Sequence, residues 1–146
     1  MGGSVKREGQ TFEGGSLWVR YANFVKLPHT LFALPFAMLG VLAASFRQPI
    51  RWQTVLLVAI AFSAARWVAM GFNRIADRHY DAANPRTKDR ELPTGALGLG
   101  HAWASVVVAG AIFLAAAGSL NRICRWLSPV ALIWVMALRS LKRAEA

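Results

Sequence analysis

The chain has 146 residues, 55% of them hydrophobic, and its mean hydropathy is +0.37. This composition is unusual for a soluble globular domain and favours a membrane protein. The formal net charge is +10, but the cations lie at the ends of apolar runs, which argues against nucleic-acid binding. The single cysteine, Cys124, excludes an internal disulfide, and the sequence contains no zinc-binding pattern.

The N-terminal segment differs in composition from the rest of the chain. Residues 1–16 are polar, rich in Gly and Ser and free of periodicity, so we predict a flexible tail. Residues 17–146 form the predicted membrane domain. A membrane helix needs about 20 mostly apolar residues. The first such run, between Lys26 and Arg47, is LPHTLFALPFAMLGVLAASF, and membrane helices tolerate its two prolines.

Three further apolar runs follow. The second begins near Trp52 and is interrupted by Arg66. The third has its apolar part at 102–120 and is rich in Ala and Gly, which allow helices to approach closely. The fourth, at 126–138, has thirteen residues and is short for a full crossing. We therefore predict an all-α, polytopic membrane helix bundle with about four transmembrane helices.

The predicted connections differ in their number of positive residues. With four spans, the N-terminal tail, the second loop and the C-terminal tail share one side of the membrane. That side carries twelve cations: Lys6, Arg7, Arg20, Lys26, Arg74, Arg78, Arg86, Lys88, Arg90, Arg139, Lys142 and Arg143. The opposite side carries four: Arg47, Arg51, Arg122 and Arg125. The positive-inside rule predicts that the richer side faces the cytoplasm.

A charged segment, GFNRIADRHYDAANPRTKDRELPTG, lies at 71–95 between the second and third runs and holds four of the seven acids. If the second helix continues through Asp81, then Asn73, Asp77 and Asp81 lie one turn apart on one face. Two carboxylates at that spacing repel each other unless a cation lies between them. Mg²⁺ prefers oxygen ligands and often takes one or two carboxylates together with phosphate oxygens. The spacing therefore favours a site for a metal-chelated phosphorylated ligand.

Flanking residues bear on this hypothesis in both directions. The alternative is a solvated helix end, in which Arg74 and Arg78 neutralise the acids. Arg66 lies seven residues before Asn73, within the apolar stretch, and intramembrane ionisable residues are costly and usually functional. The alternative for Arg66 is a side chain that snorkels to the interface. The following loop carries three cations suited to phosphate oxygens: Arg86, Lys88 and Arg90.

The segment FNRIADRHYDAANPRTKDRELPTG resembles the first Asp-rich signature of the UbiA superfamily of intramembrane prenyltransferases. It is most similar to the 4-hydroxybenzoate polyprenyltransferase branch. The segment KLPHTLFALPFAMLG is similar to the first helix of that family, and LSPVAL (127–132) to the start of its fourth. The resemblance covers about residues 17–143.

The resemblance implies a reaction and a role for each candidate residue. Asn73, Asp77 and Asp81 would hold Mg²⁺ against the diphosphate of a polyprenyl donor, and Arg66 would bind the carboxylate of 4-hydroxybenzoate. After the allylic C–O bond ionises, the allyl cation would react at the ring carbon ortho to the phenol oxygen. The further substrate-binding residues implied are Lys26, Arg86, Lys88, Arg90 and Lys142. The pathway implied is ubiquinone biosynthesis. A bacterial inner membrane fits, and a mitochondrial inner membrane stays open as an alternative.

The chain also departs from the family pattern. The family has about nine membrane helices, and its second Asp-rich motif is absent here, so we expect an N-terminal portion of a longer fold. Leu138 stands where the family usually has a tyrosine, four residues before Lys142. Two alternatives remain open. One is a related prenyltransferase with another acceptor (naphthoate, haem or glycerol phosphate), and the other is a non-catalytic membrane fragment or assembly partner.

Overall fold

The computed structural model describes residues 12–144, apart from the side chain of Arg143, and every regular element among them is a helix. The helices are α1 (Leu17–Phe24), α2 (Leu27–Ser45), α3 (Trp52–Ala83), α4 (Leu99–Leu120) and α5 (Arg122–Ala144). Four segments among these residues are long and apolar enough to cross a membrane: Leu27–Ser45, Trp52–Ala83, Leu99–Leu120 and Arg122–Lys142. The predicted all-α class and the four spans are confirmed.

The short helix α1 precedes the first span and was not predicted as a separate element. Ser16 begins it by accepting a hydrogen bond from the backbone N–H of Val19 at 3.4 Å. The backbone N–H and carbonyl of Phe12 each form a 3.0 Å hydrogen bond with the Asn23 side chain. Residues 1–11 of the predicted tail, and with them Lys6 and Arg7, lie outside the described residues, and the flexibility of the tail stays a prediction.

Lys26 turns the chain sharply between α1 and α2. Its φ of 51° lies in the left-handed region, which ends one helix and lets the next begin at Leu27. Along α2, Phe32, Phe36 and Leu39 remain 75%, 65% and 58% exposed. Such large exposed apolar side chains are costly in water but suit the hydrocarbon of a bilayer.

The core of the bundle lies between α3 and α4, which form its most extensive helix–helix contact. Small residues permit this closeness. A Cβ placed on Gly71 would lie 2.6 Å from Cγ2 of Val106 and 3.3 Å from Cε1 of Phe24, so only glycine fits there without movement of a neighbour. Ala102 and Ala109 of α4 are also buried, which agrees with the close approach predicted for the third run.

The fourth span is longer than its apolar run predicted. The sequence estimate of thirteen residues stopped at charged side chains, whereas the helix continues through them and gives a candidate span of 21 residues, Arg122–Lys142. Only Asn121 separates α4 from α5, and its side chain accepts a hydrogen bond from the N–H of Cys124 at 2.7 Å. The guanidinium of Arg125 donates to the carbonyl of Gly118 at 3.1 Å, which satisfies a terminal carbonyl of α4.

Candidate functional site

The candidate site lies where the end of α3 meets the α1–α2 turn, the loop at 84–98 and the last turns of α5. We call this region the charged end. The condition for a shared face is met: α3 continues as one helix past Asp81 and carries Asn73, Asp77 and Asp81 on its last turns. Four residues of an α-helix turn the chain by about 40° beyond a full circle, so the three side chains share a face that rotates along the axis. Asp77 and Asp81 therefore meet different neighbours.

Asp81 belongs to a closed cluster, formed by Arg74, Asp81, Arg90 and Glu91. The Asp81 side chain is 10% exposed, and its Oδ1 accepts a hydrogen bond from Nη1 of Arg90 at 2.9 Å. Nη1 of Arg74 lies 3.7 Å from Oε2 of Glu91, and both side chains are 9% exposed. Two cations and two anions thus neutralise each other in a buried space walled by Phe24 and Leu92.

Lys26 stands beside this closed cluster. Partial burial lowers the pKa of its ammonium, and the nearby guanidinium groups of Arg74 and Arg90 lower that pKa further. Glu91 acts in the opposite direction but is the smallest of these effects. A further anion near Lys26 would favour its charged form, which suits the substrate-binding role that the resemblance implies for it.

The loop at 84–98 is fixed to the helices at several points. The hydroxyl of Thr87 donates to the backbone carbonyl of Asp81 at 3.0 Å, and Arg20 of α1 donates to the carbonyl of Ala96 at 2.8 Å. Leu97 is only 2% exposed, and Gly95 adopts a φ of +73°, which glycine accommodates at no steric cost. Of the predicted cations, Arg90 reaches a carboxylate of the face, whereas Arg86 and Lys88 are exposed on the loop.

Asp77 faces an open cavity of about 390 Å³, bounded by α3, α4 and α5. Nη2 of Arg139, on α5, donates a hydrogen bond to Oδ2 of Asp77. The two side chains are 37% and 29% exposed, against 9% for both members of Arg74–Glu91 and 28% and 10% for Arg90–Asp81, so this ion pair has the most accessible carboxylate of the three. Phe72 and Trp103 form an apolar wall, with their rings edge to face at 6.2 Å. Lys142, the predicted cation of α5, is exposed.

The structure changes the assignment of counterions. The ion pairs differ from the alternative of a helix end neutralised by Arg74 and Arg78: Arg74 lies beside Glu91, while Asp81 and Asp77 pair with Arg90 and Arg139. Sequence reasoning missed two of these participants, Arg139 and Glu91. Arg139 lies three residues before Lys142, which is one helical turn, and this position on the same face is the signal that the sequence offered.

The oxygen donors suit part of a magnesium shell. Within residues 12–144, no group of three or more His, Cys, Asp or Glu side chains is arranged to hold a metal ion. Asp77 offers an accessible carboxylate and Asn73 an amide one turn earlier, while Asp81 is engaged by Arg90. This donor set fits an ion that keeps several waters and takes its remaining ligands from phosphate, as Mg²⁺ does. It does not resemble an all-protein cage.

Arg66 lies on the apolar part of α3. Its Nε is buried and has no hydrogen-bond partner among the described residues, and the same holds for Nε1 of the adjacent Trp67. A buried guanidinium nitrogen without a partner carries a desolvation cost, which an anionic group would offset. The predicted carboxylate-binding role of Arg66 fits this observation, although the role itself stays a prediction.

A second, apolar cavity of about 540 Å³ lies between α1, α3 and α4. Its lining includes Trp18, Tyr21 and Trp67 together with small residues of α3. Tyr21 and Trp67 contact each other with ring centroids 6.3 Å apart. Along α3 the lining runs from Ala59 to Trp67, and along α4 from Ser105 to Ile112.

Fold and site together define a membrane-spanning helical bundle with a charged, carboxylate-bearing end. The chain belongs to the UbiA prenyltransferase family, whose sequence profile matches residues 33–144. A solved structure described as an apo UbiA homolog from Aeropyrum pernix K1 is 40% identical, with a TM-score of 0.72. The similarity covers 80% of this chain and 42% of that one.

Two curated relatives belong to one branch of the family. A probable mitochondrial protoheme IX farnesyltransferase of Dictyostelium discoideum is 32% identical over 97 residues, which are 66% of this chain and 22% of the relative. The protoheme IX farnesyltransferase of Alkalilimnicola ehrlichii is 27% identical over 119 residues, covering 80% and 37%. The chain thus spans less than half the length of each of these three similar proteins. The predicted family is confirmed; the predicted 4-hydroxybenzoate branch is not.

Proposed function

We propose that the charged end is the diphosphate-binding side of a prenyltransferase site, which transfers a polyprenyl group from polyprenyl diphosphate to an acceptor. Membership of the UbiA family supports the reaction class. The observation that carries the assignment to this end is the accessible Asp77 carboxylate on the open cavity, with Arg139 beside it and the closed cluster one turn away.

The residues of the charged end take separate parts in the proposed reaction. Asp77 and Asn73 would hold Mg²⁺, and Asp81 would join them when Arg90 moves from its carboxylate to the diphosphate. When bound, Mg²⁺ supplies charge stabilisation for the leaving diphosphate. Lys26 stabilises the same developing negative charge as the allylic C–O bond breaks and the diphosphate leaves with the electron pair. The exposed cations Arg86, Lys88 and Lys142 would attract the anionic headgroup.

For the acceptor we propose 4-hydroxybenzoate, whose carboxylate would accept a hydrogen bond from the buried, unpartnered Nε of Arg66. The ring would then lose a proton as its carbon forms the bond to the prenyl group. A second candidate is haem, because two curated relatives are named protoheme IX farnesyltransferases. Haem propionates also carry carboxylates, so Arg66 fits either acceptor and ring size would discriminate between them. Ubiquinone biosynthesis follows only from the first acceptor.

Pyrophosphate release in lipid nanodiscs tests both the reaction and the acceptor. With Mg²⁺ and a polyprenyl diphosphate, 4-hydroxybenzoate should support release and haem should not. Arg66→Gln should raise the KM for 4-hydroxybenzoate about tenfold or more, the value of a lost charge-assisted hydrogen bond, and leave the KM for the donor unchanged. The matched control is Arg51→Gln, an exposed arginine at the start of the same helix. Equal rises in both KM values would contradict the carboxylate role.

Other outcomes favour the alternatives. Pyrophosphate release with haem but not with 4-hydroxybenzoate would assign the chain to the haem branch. A folded chain that binds neither Mg²⁺ nor pyrophosphate would favour a non-catalytic membrane fragment or assembly partner.

We also propose that the chain is inserted in a bacterial inner membrane with the charged end in the cytoplasm. The asymmetry of Lys and Arg across the predicted connections supports this orientation. The same assay in membrane vesicles tests it, because externally added EDTA does not cross the bilayer. EDTA should stop the reaction in everted vesicles and spare it in right-side-out vesicles. The reverse result would contradict the orientation.

A further inference from the structure

Arg139 links two helices at the wall of the open cavity. It lies near the C-terminal end of α5 and binds Asp77 of α3, 62 positions earlier in the chain. The family resemblance assigned no role to this position, and the sequence pattern singled out Lys142 instead. Arg139 is therefore a cation at the proposed site that the proposed function leaves without a part in metal or diphosphate binding.

Two features of the pair make it easy to break. Both side chains are about one third exposed, and exposed ion pairs contribute only about 0–1 kcal/mol to stability. The pair also borders an open cavity, so Arg139 has space to leave Asp77 without displacing the apolar wall. Arg90, whose movement the proposed function also requires, is held more firmly, because its carboxylate partner, Asp81, is 10% exposed within the closed cluster.

A divalent cation and Arg139 compete for the same carboxylate. A cation at Asp77 would repel the guanidinium, since like charges at short range disfavour each other in a partly buried site. A diphosphate arriving with that cation would attract the guanidinium, because its phosphate oxygens accept two parallel hydrogen bonds from arginine. Charge alone therefore favours movement of the Arg139 guanidinium from the Asp77 carboxylate to the diphosphate when both ligands arrive.

We propose that Arg139 is an exchange residue: it neutralises Asp77 when no ligand is bound and transfers to a diphosphate oxygen when a divalent cation binds Asp77. The diphosphate and cation are those of the proposed function, on which the inference rests. Arg139 accordingly weakens binding of a free divalent cation and strengthens binding of the cation–diphosphate complex. A residue that only holds α3 and α5 together has no reason to affect the two ligands in opposite directions.

The test measures binding by the chain in lipid nanodiscs, with Mn²⁺ as a paramagnetic probe and pyrophosphate as the anion. Arg139→Gln should tighten Mn²⁺ binding without pyrophosphate, by about threefold to tenfold, because the competitor is gone. It should weaken binding of pyrophosphate in the presence of Mg²⁺ by about tenfold, the value of a lost charge-assisted contact. Arg139→Lys keeps the charge without the fork geometry. For each ligand, its affinity should lie between that of the unmodified chain and that of Arg139→Gln.

The control is Arg125→Gln, on the same helix at the opposite end of the bundle, where the guanidinium binds a carbonyl. It should leave both affinities unchanged. Weaker binding of both ligands by Arg139→Gln, or no change in either, would overturn the exchange. Circular dichroism and size exclusion of each variant separate these outcomes from misfolding, and Arg139→Lys provides a second variant if Arg139→Gln does not fold. If Arg139→Gln tightens Mn²⁺ binding and weakens pyrophosphate binding as expected in a chain that transfers no prenyl group, that result would refute the proposed reaction and support the exchange.

Discussion

Asp77 and Asp81 are identical side chains one turn apart on one helix, yet they stand in contrasting surroundings. Asp81 is buried in the closed cluster, where every charge has an opposite charge nearby. Asp77 borders an open cavity and is held by one arginine that is about one third exposed. The difference arises because the helix rotates by about 40° between them, so one faces the 84–98 loop and the other faces α5.

This contrast teaches that spacing alone does not define a ligand set. A carboxylate that is buried and paired matters to the fold, because removing either member of the ion pair would leave the other as a buried charge without compensation. A carboxylate on a cavity contributes little to the fold and remains available to a cation. The four-residue spacing predicted three equivalent ligands, whereas the structure ranks Asp77 first in availability and Asp81 behind it.

The largest expected difference separates Asp77→Asn from Asp81→Asn. Asp77→Asn should lower pyrophosphate release by about 1,000-fold, equivalent to about 4 kcal/mol, because the accessible metal-binding oxygen loses its charge. It should leave the free energy of unfolding nearly unchanged, since its ion pair is exposed. Asp81→Asn should lower both release and the free energy of unfolding. Unfolding titrations in detergent micelles measure the second quantity. A larger loss of stability from Asp77→Asn would reverse the proposed ranking of the two carboxylates.

The next effect concerns the closed cluster itself. Arg74→Met removes one partner of a buried ion pair and leaves Glu91 uncompensated, which should reduce the free energy of unfolding by about 3 kcal/mol. Arg78→Met is the matched control, because Arg78 lies on the same helix but borders the open cavity. Its effect on unfolding should be within about 1 kcal/mol. Equal losses from the two variants would mean that the cluster is no more important to the fold than the cavity wall.

The smallest effect is a pH dependence of anion binding. Burial and the neighbouring arginines lower the pKa of Lys26, so its ammonium loses its proton at a lower pH than an ordinary lysine. As the pH is raised, pyrophosphate affinity should therefore fall by about tenfold or less, and this decline should occur at a pH below 10.5, the usual pKa of lysine. Lys26→Met should bind more weakly at neutral pH and lose this decline, whereas Lys88→Met should retain it. A decline that persists in Lys26→Met would assign it to another group.

Much of the fold was predictable because lipid imposes simple rules. Twenty residues without charge predicted the first span closely, from Leu27 to Ser45, and α3 does continue past Asp81, as the placement of the three candidate ligands on one face required. The fourth span was underestimated because a count of apolar residues stops at Arg125 and Arg139, while a helix whose charged side chains reach an interface or a partner does not. The short helix α1 was not predicted, because its eight residues are too few to form an apolar run that could span a membrane.

The site was predictable in its residue types and much less so in its pairing. Asn73, Asp77 and Asp81 were identified from local spacing, since neighbours on a helix follow from sequence distance. Their counterions come from a loop nine residues beyond Asp81 and from a helix 62 residues beyond Asp77, and no local pattern encodes these contacts. The nearest arginines in sequence, Arg74 and Arg78, are consequently not the partners of these acids.

Because only Asn121 connects α4 to α5, a small change in the tilt of α5 about this residue produces a larger displacement at its far end. Arg139 lies seventeen residues beyond Arg122, the first residue of α5, a distance of about 25 Å at 1.5 Å per residue. A tilt of about 5° at this pivot would therefore move the guanidinium by about 2 Å, which is more than the tolerance of a hydrogen bond. Because one residue joins the two helices, a change in the angle between α4 and α5 would change the distance between Arg139 and Asp77.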